Sequence, residues 1–288
     1  MANFVNSFSN AAILKTTYDS EFGLDPSEEG VITPFVAKPV GSTAIGNVLT
    51  LRKVAAHSAS KWATVGNGTT GGLSTALTGT GPTEAAVTTT LAYAYVMCEI
   101  DEPGLTRLVD ESNYRTALRK QMAAAVNAQI DVDLFALASG LTLSESNADI
   151  SETQYLAAYG KLVAAAKNKV KVGQTDVRLF LHPTEIKNFM AMGAAREYQI
   201  RGAAGSAGNG QLVTTYGIKV EESGNIQNSG GNYHQPMILK DAFAIGYNRT
   251  PSALPEQQDG IITRLIFRAE YGVCEWFDSS GVDVITNV

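Results

Sequence analysis

Gly66 to Gly71 spell GNGTTG, and the one chemistry this spacing could carry is dinucleotide binding. Such a loop cradles a pyrophosphate only when a buried strand leads into it, a helix opens on its last glycine and an acid lies roughly twenty residues on. The run beyond it, GLSTALTGTG, is rich in Thr, Ser and Gly and has no helical period, so the motif carries no cofactor chemistry. A second run, GAAGSAGNGQ (202–211), lacks the Lys-Ser/Thr of a phosphate-binding loop and reads as a plain loop. His57, His182 and His234 sit in three separate segments, none with a second ligand-type residue at metal spacing. HPTE at His182 reads as a strand end leading into a helix capped by Thr184. Asp131 and Asp133 lie two apart in a helical pattern, point in different directions and make no acid/base pair. Cys98 and Cys274 have no CxxC partner and read as buried free thiols. There is no GxSxG, and the Asn-X-Thr triplets at Asn67 and Asn248 are chance matches without a secretory signal. Enzymatic activity, cofactor and metal are therefore not expected.

Tyr93, Tyr95 and Met97 alternate with Ala94 and Val96, and aromatic residues so placed could stack nucleobases. No Lys or Arg interleaves them anywhere between Thr83 and Ile100. A face without cations packs against protein rather than against a polyanion. The whole chain agrees: 288 residues carry a formal net charge of -6, which argues against a nonspecific DNA clamp. Only 17% of residues are charged, against about 25% in ordinary globular domains. Surfaces short of charge are built from Ser, Thr, Asn and Gly or are covered by partners. No apolar run approaches the ~18 residues of a membrane span, and MANFVNSFSN lacks the charge and apolar core of a signal peptide.

The elements that must position such a face can be read in order. GVITPFVAKPVG, ending at Gly41, is broken by prolines that favour extended geometry and reads as an extended arm whose apolar residues need a surface. STAIGNVLTLRKVAAHSASKWATV and TEAAVTTTLAYAYVMCEI read as two limbs of a long hairpin, 42–100. Its tip, Thr64 to Gly81, holds six glycines and no charge. With period two, Leu91, Tyr93, Tyr95 and Met97 share one covered face, and the other turns apolar from Val96 on, as if the ribbon enters a protein body. A lone hairpin is marginal in water, so this one must lean on something.

Beyond DEPG, Leu118, Met122, Val126, Ile130, Leu134 and Leu137 mark a helix over 113–139, capped at Ser112 and ended by Gly140. Its Arg115, Arg119 and Lys120 precede Asp131 and Asp133, against the preference of the helix dipole, and this polarity suggests contacts between subunits. Residues 151–231 read as a compact α/β unit. MILKDAFAIGY reads as one long strand and IITRLIFRAEYGVCEWF as another, with Ile261, Leu265, Phe267, Tyr271 and Val273 on one face, Arg264, Arg268 and Glu270 on the other, and a bulge or bend at Gly272.

This order of elements resembles the major capsid protein of tailed bacteriophages, the Hong Kong 97 fold shared with encapsulins. EIDEPGLTRLVDESNYRTALRKQMAAAVNAQIDVDLFALASG resembles the passage into the spine helix, VRLFLHPTEIKNFM, YGIKVEESG and LKDAFAIGYNRTP resemble pieces of the axial domain and its exit, and YGVCEWFDSSGVDVITNV resembles the closing strand. The resemblance implies an α+β fold with an N-terminal arm (1–41), an extended hairpin loop (42–100), a peripheral domain with spine helix and long strands (101–150 and 232–288) and an axial domain (151–231). It implies self-assembly as pentamers and hexamers into an icosahedral shell around double-stranded DNA, a separate scaffolding protein, a portal, assembly in the host cytoplasm and no membrane partner. Expected subunit contacts are Lys61, Trp62, Leu91, Tyr93, Tyr95, Arg115, Arg119, Asp131 and, in the loop near the capsomer centre, Arg201. An encapsulin shell, another phage structural protein and an enzyme with an unrecognised α/β site are the competing readings.

Overall fold

The computed structural model describes residues 30–39, 43–54, 84–101, 111–166, 177–192, 218–226 and 228–287. Three sheets organise them. A small antiparallel sheet joins β1 (Thr43–Ile45), β2 (Val48–Val54) and β3 (Glu84–Thr90) in the order β1-β2-β3. Gly46, with φ of 60°, turns β1 into β2. The two hairpin limbs do pair: Val48 lies opposite Thr90 and Val54 opposite Glu84. The return limb then leaves its partner. Through Leu91 alone it continues as β4 (Ala92–Asp101), which pairs with β12 (Ile262–Glu275) of a second sheet.

On its other side β12 carries β10 (Phe243–Ala253) and then β11 (Gln257–Asp259). One face of this sheet is covered by α1 (Glu111–Ala136), which a 3-10 turn, Leu137–Gly140, extends. The expected stripe is what packs: Met122, Val126, Ile130 and Leu134 are buried, with Leu118 and Leu137 beside them. The helix starts at Glu111, so Ser112 lies within its first turn rather than before it.

The third sheet has the order β5-β13-β9-β6-β7, with β8 on β9. Its strands are β5 (Ser144–Asn147), β6 (Val177–Leu181), β7 (Lys219–Glu222), β8 (Asn228–Ser229), β9 (Asn232–Leu239) and β13 (Gly281–Asn287). The helices α2 (Glu152–Ala166) and α3 (Pro183–Ala191) close one face through Tyr155, Leu162 and Phe189, which pack on Leu179, Met237 and Val284. Phe180 and Ile238 enter the core around α1, where Phe135 meets Phe180 edge-on at 5.6 Å. Burying each such aromatic is worth about 1.5–3 kcal/mol.

Four further readings of the sequence change. MILKDAFAIGY is two strands: a turn at Lys240–Asp241, closed by the Ala242 amide on the Leu239 carbonyl, sends β9 and β10 into different sheets. Hydrophobic residues on both sides hid this break. His182, not Thr184, stands before α3; its Nδ1 accepts from the Thr184 amide and its ring stacks on Tyr233 with centroids 4.0 Å apart. Residues 31–36 are a turn rather than an extended arm, with the Phe35 and Val36 amides donating to the Ile32 carbonyl. Their apolar side chains are covered by their own chain, since Ile32, Phe35 and Val36 join the core around α1.

No bulge falls at Gly272. It lies opposite Gly246 in unbroken register, and the shifts in β10 fall later, between Tyr247 and Ser252. The pair is needed for close approach instead. A Cβ at Gly272 would stand 2.5 Å from the Thr89 methyl, and one at Gly246 would stand 2.6 Å from Leu51.

Candidate assembly surface

The sheet β4-β12-β10 has two faces of unequal fate. Ala94, Ile100, Leu265, Ala269 and Tyr271 turn toward α1 and are buried. On the opposite face, the end near Ala244, Gly246, Gly272 and Cys274 lies beneath the chain's own hairpin base, where Leu49, Leu51 and Val87 pack. Two polar anchors fix that base. The Thr89 hydroxyl donates to the Val273 carbonyl at 2.7 Å, and the Lys53 ammonium donates to the Trp276 carbonyl at 3.0 Å while lying 5.1 Å from the Phe277 ring centre.

The hairpin base covers only one end of that face. Along the rest, β4 register sets Tyr93 beside Glu270, Tyr95 beside Arg268, Met97 beside Ile266 and Glu99 beside Arg264. Tyr93 is 52% exposed, Tyr95 64% and Met97 51%. The polar groups among them already have partners within the subunit. Arg268 donates to the Tyr93 hydroxyl at 3.0 Å, Arg264 to Glu99 at 2.8 Å, and Asn248 to Glu270 at 2.9 Å. What remains is the strip of Tyr93, Tyr95 and Met97, flanked along β12 by Arg268 and Glu270. Tyr, Met and Arg are the residue types enriched where proteins meet, and this composition suits a contact that excludes water.

The expectation for this segment is half right. Leu91, Tyr93, Tyr95 and Met97 do share a face, but within the subunit the covered face is the one of Ala94, Val96, Cys98 and Ile100. Leu91 itself packs partly against the hairpin core. Arg115 and Arg119 both reach Glu256 of their own chain, and Asp131 has no exposed surface at all. Its carboxylate accepts from the amides of Val31, Ile32 and Thr33 and from the Thr33 hydroxyl. Burial pushes the Asp131 carboxyl above its usual range, while the Thr33 hydroxyl and the three amides pull it back down. Arg115, Arg119 and Asp131 of the inverted charge order along α1 thus have partners inside the subunit. Lys61, Trp62 and Arg201 lie outside the described residues, as do both glycine-rich runs.

Arg268, Glu270 and Ile266 join this strip without standing among the expected contacts. Their alternation is legible in the sequence; their position beside Tyr95 is not, because it depends on the pairing of β4 with β12 across more than a hundred and fifty residues. Among the described residues no group of three His, Cys, Asp or Glu could hold a metal ion, and no helix is long and apolar enough to cross a membrane. Both thiols are free; burial raises the Cys98 pKa and pushes Cys274 up to about 11, so neither is a ready nucleophile.

The architecture matches solved phage capsid structures over nearly the whole chain. The capsid of Ralstonia phage GP4 superposes with a TM-score of 0.67 at 10% identity, covering 95% of this chain and 95% of that one. The capsid of cyanophage P-SCSP1u gives 0.66 at 11% identity over 96% and 93%, and that of a native GTA particle 0.64 at 12% over 98% and 99%. No family model and no curated protein sequence matches. This chain therefore has the fold of a phage capsid subunit.

Proposed function

We propose that this chain is the major capsid protein of a tailed bacteriophage, with the Hong Kong 97-like arrangement. The carrying observation is the half-covered sheet: a phage-capsid fold that seals one end of the β4-β12-β10 face with its own hairpin and leaves Tyr93, Tyr95 and Met97 open. In the shell, the hairpin of a neighbouring copy lies across this strip, and Tyr93 and Tyr95 are its principal contacts, with Leu91 at the edge. Covering three half-exposed side chains of this size is worth about 3–4 kcal/mol per contact, enough to count when repeated around a closed shell. Lys61, Trp62 and Arg201 are assigned to contacts between subunits on the resemblance alone.

In this reading pentamers and hexamers build an icosahedral shell around double-stranded DNA, with a scaffolding protein and a portal, assembled in the host cytoplasm. The axial domain is 151–231, with β9 and β13 knitted into its sheet. The peripheral domain takes 101–150 and the rest of 232–288, the hairpin 42–100 and the arm 1–41. The protein's role is mechanical rather than catalytic. Electron microscopy of the purified protein, alone and with a candidate scaffold, tests this: shells are expected, and single particles under both conditions would overturn it.

A further inference from the structure

We infer that the paired glycines Gly246 and Gly272 form a seat that sets the angle at which the hairpin leaves the body, and through that angle governs how the hairpin meets a neighbouring subunit. The last clause rests on the capsid reading; the seat itself does not.

The hairpin base meets the body through Leu49, Leu51, Val87 and Thr89. Leu49, Leu51 and Thr89 point from β2 and β3 onto the stretch where β10 and β12 carry hydrogen instead of a side chain, residue opposite residue. Leu49 serves both glycines: a Cβ would be 2.7 Å from its Cδ2 at Gly246 and 3.1 Å from it at Gly272. Neither glycine has a positive φ, so backbone conformation does not require them. The close approach does. The chain passes from one sheet to the other through Leu91 alone, its amide on the Asn47 carbonyl at 2.9 Å, so the angle is set where the hairpin base rests on the body: by this close approach together with the Thr89 and Lys53 anchors.

At Gly272 the closest atom is the Thr89 Cγ2, at 2.5 Å from the added carbon, so β3 must lift by about 1 Å to restore ordinary contact. Applied at one end of a seat about two residues long, that lift tilts the hairpin base by on the order of 8°, and moves the Val54 end of β2 by about 2 Å at ~3.3 Å per residue.

The test uses the full-length subunit, with spin labels at Arg52 on the exposed hairpin face and Gln129 on α1, each carried on a genetically encoded reactive side chain. Gly272→Ala should shift the distance between them by about 1 Å. Thr89→Ser removes the offending methyl but keeps the hydroxyl for the Val273 carbonyl; alone it should leave the distance unchanged, and added to Gly272→Ala it should restore it. An unshifted Gly272→Ala, a double variant still displaced, or unfolding that Thr89→Ser does not repair would overturn the seat. In assembly, Gly272→Ala should give shells of altered diameter or none, and the double variant normal ones; normal shells from a displaced hairpin would overturn its governing role. A wild-type subunit that forms no shell while its variants shift and recover sinks the capsid reading and leaves the seat standing.

Discussion

Replacing Asp131 by asparagine probes how the amino-terminal turn is held. The carboxylate is enclosed and accepts from four donors: the Val31, Ile32 and Thr33 amides and the Thr33 hydroxyl. Asparagine has the same shape but one acceptor oxygen. If that oxygen keeps Thr33, its NH2 group faces the Val31 and Ile32 amides, and two buried donors lose their partner at about 1–3 kcal/mol each. Removing a buried charge returns part of this, because burial is already the largest influence on the carboxyl. The net loss expected is about 2–4 kcal/mol, or roughly 3–7 °C in melting temperature for a chain of this length. Ile32, Phe35 and Val36 should keep the turn loosely docked, so the loss will appear first as faster amide exchange at Val31 to Thr33. Calorimetry and hydrogen exchange on full-length protein measure both. A variant as stable as wild type, with those amides still protected, would show that apolar packing alone holds the turn.

Phe35→Ala should cost about 3–5 kcal/mol by chemical denaturation, since it leaves a hole beside Phe180 and removes the ring beneath Arg178. Tyr95→Lys combined with Met97→Glu should leave the circular dichroism and melting of the subunit within about 1 kcal/mol of wild type, because both side chains are exposed, while shells are lost in electron microscopy. Glu275 has a buried Oε1 without a hydrogen-bond partner, and burial, then the neighbouring Asp278, raises its pKa. A raised folded-state value means stability present at low pH and lost as pH rises past it; Glu275→Gln should therefore be more stable than wild type near pH 7 and equal to it near about pH 4, read from urea midpoints. Glu256→Gln, which leaves Arg115 and Arg119 without their shared anion, should cost no more than about 1 kcal/mol, since the cluster is partly solvated.

The spacing of Met122, Val126, Ile130 and Leu134 announced the long helix because all four must meet one surface, and a helix repeats its face every three or four residues whatever that surface is. The β2–β3 pairing was legible for a similar reason: both limbs are strand-like and joined by a glycine-rich tip. The turn at Lys240–Asp241 was not, because MILKDAFAIGY has the composition of a strand throughout and only the pull of two different sheets divides it. Asp131 looked like a surface charge, since nothing local reveals that three amides from a hundred residues upstream converge on it.

Local pattern by itself determined most of the kinds of element and their order, since periodicity is a property of neighbouring residues. Only the tertiary structure decided which face of β4 is covered, why two glycines stand opposite each other, and where the charges of the long helix go. Those outcomes depend on which strands and turns meet across a hundred residues or more, and the pairing energy that selects them exists only once the chain has closed on itself.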